Sequence, residues 1–130
     1  MNEQSPTDPR LCSDQCKLNI LFLNVCGLNK RNNYFEFQEL VNNFDLLCFV
    51  ETKTDNCDEI EIPDFRLVHM QNRKALSNRR SGGIVLYAKS DLAPYVKVLE
   101  TESDFILWFE MKGYVFSLND DVLCGIVYTT

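Results

Sequence analysis

The sequence predicts a mixed α/β domain in which most of the chain forms strands and one helix crosses between the first two. Short apolar runs rich in β-branched and aromatic residues recur along the chain, with turn residues between them. One stretch instead repeats its apolar residues at helical spacing. The 130 residues, 45% hydrophobic and 25% charged, are ordinary for a single globular domain.

The strands are predicted from five apolar runs, which cover residues 20–23, 46–50, 84–88, 105–109 and 122–128. The main runs are apolar on consecutive residues rather than on alternate ones, which is typical of strands covered on both faces. Weaker strands are predicted near Phe65–Gln71 and residues 95–100. Residues 119–121, Asn-Asp-Asp, are predicted to form a turn between two antiparallel strands.

The helix is predicted from four apolar residues on one helical face: Phe37, Leu40, Val41 and Phe44. Asn32 or Asn33 would cap its beginning. Because the connection that contains it is long enough for a crossover, the first two strands are predicted to run parallel.

Composition and charge exclude several classes of protein. The formal net charge of -6 argues against broad electrostatic binding of nucleic acid, which depends on Lys and Arg. Residues 1–16 are polar and are expected to be a disordered lead-in without a secretory signal, so nucleus or cytoplasm is expected rather than secretion. No apolar run has the length of a membrane span.

Six cysteines occur, and without a secretory signal they are expected to be thiols rather than a disulfide framework. Cys12 and Cys16 have a C-x3-C spacing, but no second pair or nearby histidine completes a zinc site. Cys48 and Cys124 lie inside apolar runs and are expected to act as small hydrophobic residues.

Polar residues that follow the predicted strands are the candidate site, because ligands of open α/β sheets bind beyond the carboxyl ends of strands. Asn24 follows the first strand, Glu51 closes the second, and Tyr128 ends the last. A carboxylate that follows a buried strand is costly to desolvate unless it has a partner, and Mg²⁺ is a suitable partner for a carboxylate. The alternatives are a strand that surfaces at Glu51 and pairs with Lys53, a turn residue at Asn24, and an ordinary strand aromatic at Tyr128.

A basic stretch interrupts the acidic chain and is a candidate contact for a phosphate backbone, with a solvated loop as the alternative. Its members are Arg66, Arg73, Lys74, Arg79 and Arg80. The segment Ser81-Gly82-Gly83 precedes a strand rather than a helix, so it predicts a turn or close backbone packing rather than a phosphate-binding loop. The single histidine, His69, is expected to be partly buried and structural.

Five segments in order resemble the endonuclease/exonuclease/phosphatase superfamily, and most closely the apurinic-type endonuclease domains of non-LTR (LINE-like) retrotransposons. They read LNVCGL (23–28), FDLLCFVETK (44–53), SGGIVLY (81–87), LWFE (107–110) and LCGIVY (123–128). The resemblance covers residues 17–130 and implies the amino-terminal half of an α-β-β-α sandwich. It departs from the family at Cys26, where relatives often have Asp or Asn, and at Val50, where Gln is common.

The resemblance implies a Mg²⁺-dependent endonuclease that hydrolyses phosphodiesters of DNA. It implies a metal-binding role for Glu51, a phosphate-holding role for Asn24, and a position near the scissile phosphate for Tyr128. The family's later Asp-x-Asn and Asp-His motifs do not occur in these 130 residues, so we expect a truncated domain that is inactive alone. A non-catalytic module that binds nucleic acid or protein is the alternative. Without a second half, an exposed apolar sheet face and self-association are expected.

Overall fold

The computed structural model describes residues 17–55, 58–72, 82–100 and 103–128, which form a mixed α/β fold of two sheets and two helices. The strands are β1 (Ile20–Asn24), β2 (Leu46–Val50), β3 (Phe65–Gln71), β4 (Ile84–Lys89), β5 (Val96–Leu99), β6 (Ile106–Met111) and β7 (Val122–Val127). The helices are α1 (Leu28–Arg31) and α2 (Phe35–Val41), and 3-10 turns span Ala93–Tyr95 and Gly113–Phe116. The predicted lead-in, residues 1–16, lies outside the described residues.

The first sheet has four strands in the order β1-β2-β4-β3. β1 and β2 pair in parallel, with Asn24 opposite Val50, which confirms the predicted parallel pair. α1 and α2 lie in the connection between them. β4 runs antiparallel to both β2 and β3, so the sheet is mixed, as the sequence predicts.

The second sheet is antiparallel, with the order β5-β6-β7. Its strands confirm the runs predicted in the last third of the sequence. The antiparallel partners predicted around residues 119–121 are β6 and β7, although the connection also contains the 3-10 turn Gly113–Phe116. The carboxylate of Asp121 closes this connection, because Oδ1 accepts from the Gly113 N–H at 3.0 Å. That bond, followed by the one from Lys112, lowers the pKa of the Asp121 carboxyl.

β2 is the centre of the core, because every residue of it is buried. Leu46, Cys48 and Val50 belong to a hydrophobic cluster with β4, β6 and β7. The intervening Leu47 and Phe49 belong to a second cluster with α2 and the segment before β3. Burial, and secondarily the neighbouring Cys124 of β7, raises the pKa of the Cys48 thiol to about 12. The free thiols at Cys48 and Cys124 act as small hydrophobic residues, as predicted.

The expectation that the apolar central strands would lack a cover on one face is wrong. β2 and β4 are enclosed because β6 and β7 pack on the side opposite α2. The described residues expose large apolar side chains on other strands instead: Ile20 and Phe22 on β1, Leu67 on β3, Trp108 on β6, and Leu123 and Val127 on β7. Self-association through an exposed sheet face stays a prediction, now for these residues.

The predicted helix begins later and ends earlier than its pattern indicates. Tyr34 is the N-cap residue of α2 and makes no side-chain capping bond, so the predicted caps Asn32 and Asn33 are wrong. Asn32 ends α1, a helix that the apolar spacing did not predict. Phe44 lies beyond the end of α2 but still packs against the cluster that contains its predicted face.

Tyr87 of β4 supports a first testable prediction. Its ring is buried and its hydroxyl donates to the Ile60 carbonyl at 2.6 Å. Burial raises its pKa from 10.0 to about 12, so the unfolded chain loses the phenolic proton first as pH rises. The resulting stability is present below about pH 10 and is lost as pH rises towards 12.

Tyr87→Phe is therefore expected to lower the free energy of unfolding by about 1–2 kcal/mol at neutral pH, because the buried Ile60 carbonyl loses its donor. The variant should also lose less stability than the wild type between pH 8 and 11. Urea unfolding at several pH values measures both effects. Tyr114→Phe is the control, since that ring is 43% exposed, and parallel pH profiles for wild type and Tyr87→Phe would contradict the prediction.

Candidate functional site

Asn24 and Glu51 lie at one edge of the first sheet, as the parallel pairing of β1 and β2 requires. The main chain continues this pairing beyond the strands. The N–H of Val25 donates to the Val50 carbonyl at 3.1 Å, and the N–H of Gly27 donates to the Glu51 carbonyl at 2.9 Å. These bonds hold the two connecting loops side by side, so the predicted juxtaposition of Asn24 and Glu51 is present.

Three non-glycine residues at this edge adopt left-handed backbone conformations. Cys26 has a φ of 48°, Glu51 of 57° and Lys53 of 53°. Each such residue costs about 1–2 kcal/mol relative to the right-handed form. Strained backbone of this kind concentrates at ligand sites, where the surrounding structure holds it in place. The edge is therefore the most strained part of the first sheet among the described residues.

The side chain of Asn24 is oriented by its own loop. Its Oδ1 accepts from the N–H of Cys26 at 3.1 Å. This bond uses the oxygen, so the amide nitrogen of the exposed side chain is available to donate to a ligand. Asn24 is therefore a turn residue, which was one predicted role. Its amide nitrogen is also a hydrogen-bond donor at the sheet edge, as the predicted phosphate-holding role requires.

Glu51 does not pair with Lys53, the alternative that the sequence left open. The Lys53 ammonium instead donates to the Cys26 Sγ at 3.7 Å. The half-buried Glu51 carboxylate makes no hydrogen bond or ion pair within the part of the chain that the structure describes. Lys53 was not among the predicted site residues. Its position two residues after Glu51 was the feature of the sequence that could have indicated it. Lys53 adds a positive charge to this edge.

Gly82 and Gly83 support the Glu51 loop from β4. The Lys53 N–H donates to the Gly82 carbonyl at 2.8 Å, and the Thr52 N–H donates to the Gly83 carbonyl at 3.4 Å. Gly83 has a φ of 103°, and a Cβ there would collide with the Thr52 hydroxyl. The predicted role of close backbone packing is confirmed for Gly83, while Ser81 lies outside the described residues.

Gln71, the last residue of β3, connects the two sheets at the end where Glu51 lies. It is opposite Ile84 on β4, which is opposite Val50 on β2. Its side-chain Nε2 donates to the carbonyl of Ile106 at 3.2 Å. Because Ile106 is the first residue of β6, the beginning of β6 lies at this same end of the fold.

Tyr128 also lies at this end, because its N–H donates to the carbonyl of Phe105, just before β6, at 2.8 Å. The ring is 8% exposed and its centre is 6.4 Å from that of Phe105. Its hydroxyl has no hydrogen-bond partner among residues 17–55, 58–72, 82–100 and 103–128. The structure therefore brings Tyr128 to the end of the sheets that holds Asn24 and Glu51, with a ring packed like an ordinary strand aromatic.

Arg31 is a second basic residue near Asn24 that the sequence did not predict. A cleft of about 630 Å³ opens between β1 and α2, and both residues line it. The Arg31 Nε donates to the carbonyl of Val25 at 3.2 Å, and its guanidinium lies 6.0 Å from the centre of the Tyr34 ring. Arg31 places a positive charge beside the candidate site, although it was not among the predicted site residues.

Other predicted residues lie away from this edge or outside the described chain. Arg73, Lys74, Arg79 and Arg80, the predicted nucleic-acid contacts, are outside the described residues, and so are Cys12 and Cys16. His69 lies within β3, opposite Leu86, and burial lowers its pKa. This half-buried position agrees with the structural role expected of His69. Where the chain is described, no group of three or more His, Cys, Asp or Glu side chains is placed to hold a metal.

Comparison with protein-family models found no match, and comparison with curated proteins found none either. None of the helices in the described ranges is long and apolar enough to span a membrane.

Proposed function

We propose that the chain is the amino-terminal part of a Mg²⁺-dependent phosphodiester-cleaving domain and that it does not cut nucleic acid alone. Glu51 carries the proposal. Its half-buried carboxylate sits at the carboxyl edge of two parallel strands, on a backbone held at a φ of 57°. Left-handed backbone costs free energy, and a bound cation would give this half-buried carboxylate a charged partner that the described residues do not supply.

The residues at this edge fit a magnesium ion that shares its coordination with a substrate. Mg²⁺ is commonly held by one or two carboxylates together with substrate phosphate and water, and Glu51 supplies one carboxylate. Bound there, the ion would supply positive charge that stabilises the developing charge on a phosphate. The Asn24 amide and the Tyr128 hydroxyl would donate to phosphate oxygens, and the Lys53 ammonium would attract the phosphate.

The proposed lack of activity follows from what the described residues at this edge do not supply. Hydrolysis needs a group that takes a proton from the attacking water. His69 lies two residues before the end of β3, opposite Leu86, whereas Gln71 is the β3 residue at the end where Glu51 lies. The described residues also offer no cluster of carboxylates there. The chain would therefore bind metal and phosphate weakly and leave the diester intact.

Two finer statements belong to the same proposal. The two sheets with flanking helices would be the amino-terminal half of an α-β-β-α sandwich. DNA would be the ligand in an intact domain, with Arg73, Lys74, Arg79 and Arg80 as candidate contacts to its backbone.

Manganese titration followed by amide NMR tests the metal site, because Mn²⁺ broadens signals near its binding position. We expect broadening at Asn24, Glu51 and Lys53 that excess Mg²⁺ reverses, and its loss in Glu51→Gln. Glu110→Gln on β6 is the matched control and should behave as the wild type. Supercoiled DNA should remain intact with Mg²⁺. Broadening that persists in Glu51→Gln, or nicking that Glu51→Gln abolishes, would contradict the proposal.

A further inference from the structure

The cleft between β1 and α2 combines an apolar floor with polar side chains, which is typical of a small-ligand site. Its volume of about 630 Å³ lies within the range of about 300–1,000 Å³ that such sites span. The floor is formed by Leu23, Phe37 and Leu40. Leu40 remains 39% exposed, so part of this floor contacts water. A ligand with a flat apolar face would cover it.

Arg31 supplies a positive charge that the main chain holds in place. Its Nε donates to the Val25 carbonyl at 3.2 Å. Val25 is 0% exposed and donates in turn to the Val50 carbonyl of β2. The terminal nitrogens of the Arg31 guanidinium have no hydrogen-bond partner among the residues that the structure describes. A guanidinium fixed in this way can donate both of these nitrogens to one phosphate.

Asn24 adds a second donor and joins the cleft to the candidate site. It lines the cleft and also lies at the sheet edge that contains Glu51. The N–H of Cys26 occupies its Oδ1, so its amide nitrogen remains to donate. An anion that accepts from Arg31 and Asn24 would therefore lie in the cleft, next to the proposed phosphodiester site.

Tyr34 offers a ring on which a planar group can stack. The ring is 46% exposed and lines the cleft. The guanidinium carbon of Arg31 lies 6.0 Å from the centre of this ring, at the limit of a cation–π contact. Nucleobases stack on aromatic rings and on arginine planes. A fixed arginine beside an exposed aromatic ring is thus suited to a nucleotide, with the phosphate and the base bound side by side.

Glu36 places a negative charge on the same lining. Its exposed carboxylate makes no hydrogen bond or ion pair within the described ranges. A carboxylate accepts hydrogen bonds but cannot donate them, so it repels a phosphate and favours an N–H group. The polar side chains of the cleft therefore fit a ligand that combines an anion, a planar ring and, away from the anion, an N–H donor.

We propose that this cleft binds a nucleoside phosphate whose base carries an exocyclic amine. The phosphate accepts from Arg31 and Asn24. The base stacks on Tyr34, and its amine donates to Glu36. The nucleotide is the neighbour of the phosphodiester bound at Glu51, and this link alone rests on the proposed function. Binding of the nucleotide itself needs no metal.

Amide NMR titration with EDTA present tests the cleft, with cytidine 5′-monophosphate as the probe. We expect shifts at Asn24, Arg31 and Tyr34 and a Kd on the order of 1 mM. Uridine 5′-monophosphate has a carbonyl in place of the amine and should bind about fivefold more weakly. Glu36→Gln should remove this difference, because its amide both donates and accepts. Equal affinity of the two nucleotides for the wild type, or no shifts at roughly 10 mM, would overturn the proposal.

Further variants test the phosphate and base positions separately. Arg31→Gln should weaken binding of the cytidine nucleotide about tenfold. Lys97→Gln, the same charge change at an exposed position of β5, should leave binding within about twofold. Tyr34→Leu should weaken binding about fivefold, whereas Tyr34→Phe keeps the ring and should retain it. Tyr34 makes no side-chain capping bond to α2, so these changes spare the helix. Unchanged affinity in either Arg31→Gln or Tyr34→Leu would overturn the assignment.

A deoxycytidine dinucleotide with a 5′-phosphate separates this proposal from the proposed function. With Mg²⁺, its second phosphate should reach Glu51 and raise the affinity about fivefold above that of the mononucleotide. Glu51→Gln should remove only this gain. No gain, or an equal gain in Glu51→Gln, would contradict the link to the phosphodiester site and leave the cleft as a site for a free nucleotide. Normal Mn²⁺ broadening at Glu51 without any shifts from the cytidine nucleotide would overturn the cleft alone.

Discussion

Phe49→Ala is expected to lower the free energy of unfolding by about 3–5 kcal/mol, a large share of the stability of a single domain. Phe49 is 0% exposed at the middle of the first sheet. Its ring centre lies 5.4 Å from that of Phe37 on α2 and 6.1 Å from that of Tyr87 on β4. Truncation would leave a cavity between helix and sheet that these rings cannot fill without leaving their own positions.

Urea unfolding of Phe49→Ala alongside Phe35→Ala measures this effect. Phe35 is the matched control, because it begins α2 but is 67% exposed. Its truncation removes the same atoms from a side chain that already contacts water, so a change within about 0.5 kcal/mol is expected. Losses of similar size in the free energy of unfolding of both variants would show that α2 does not pack against β2 through Phe49.

The position of Phe49 was predictable because local sequence carried the necessary information. The uninterrupted apolar run 46–50 indicated a strand buried on both faces, and β2 is such a strand. The length of the connection before it indicated a parallel partner, and β1 is that partner. Patterns of this kind depend on residues that are neighbours in the sequence, so they can be interpreted without knowledge of the rest of the fold.

The second cover of β2 was not predictable in the same way. It depends on which distant strands pack together, and no local pattern specifies that β7 lies above β2. The sequence therefore led to an expectation of bare central strands, whereas the exposed apolar residues lie on other strands, among them Ile20 and Phe22 on β1. The predicted beginning of the helix was wrong for a related reason. A separate short helix, α1, precedes α2, and its four residues are too few to give a periodic apolar pattern.

Some features of the candidate site were also predictable from the sequence, and others were not. Asn24 and Glu51 were predictable, because the carboxyl ends of parallel neighbouring strands meet at one edge. The left-handed backbone of Glu51 was not, because glutamate rarely adopts it and no residue type announces it. Lys53 was also missed, since its contact with Cys26 joins two loops that are distant in sequence.

Gly83→Ala is expected to destabilise the fold by about 3 kcal/mol and to weaken Mn²⁺ broadening at Glu51. At a φ of 103°, the new methyl group would be strained and would also collide with the Thr52 hydroxyl. That hydroxyl is buried and forms a 2.9 Å hydrogen bond with Thr54. Displacing Thr52 therefore breaks a buried polar contact in the residue that follows Glu51, so stability and metal binding should fall together.

Gly27→Ala separates backbone strain from the collision. Gly27 has a φ of 101°, close to that of Gly83, but a Cβ there would meet nothing within 4 Å. It should cost only about 1–2 kcal/mol. In a double-mutant cycle, Thr52→Ala should recover at least about 1 kcal/mol of the Gly83→Ala loss, because it removes the colliding oxygen. Equal losses at the two glycines, or additive effects at Gly83 and Thr52, would mean that the Glu51 loop does not depend on this contact.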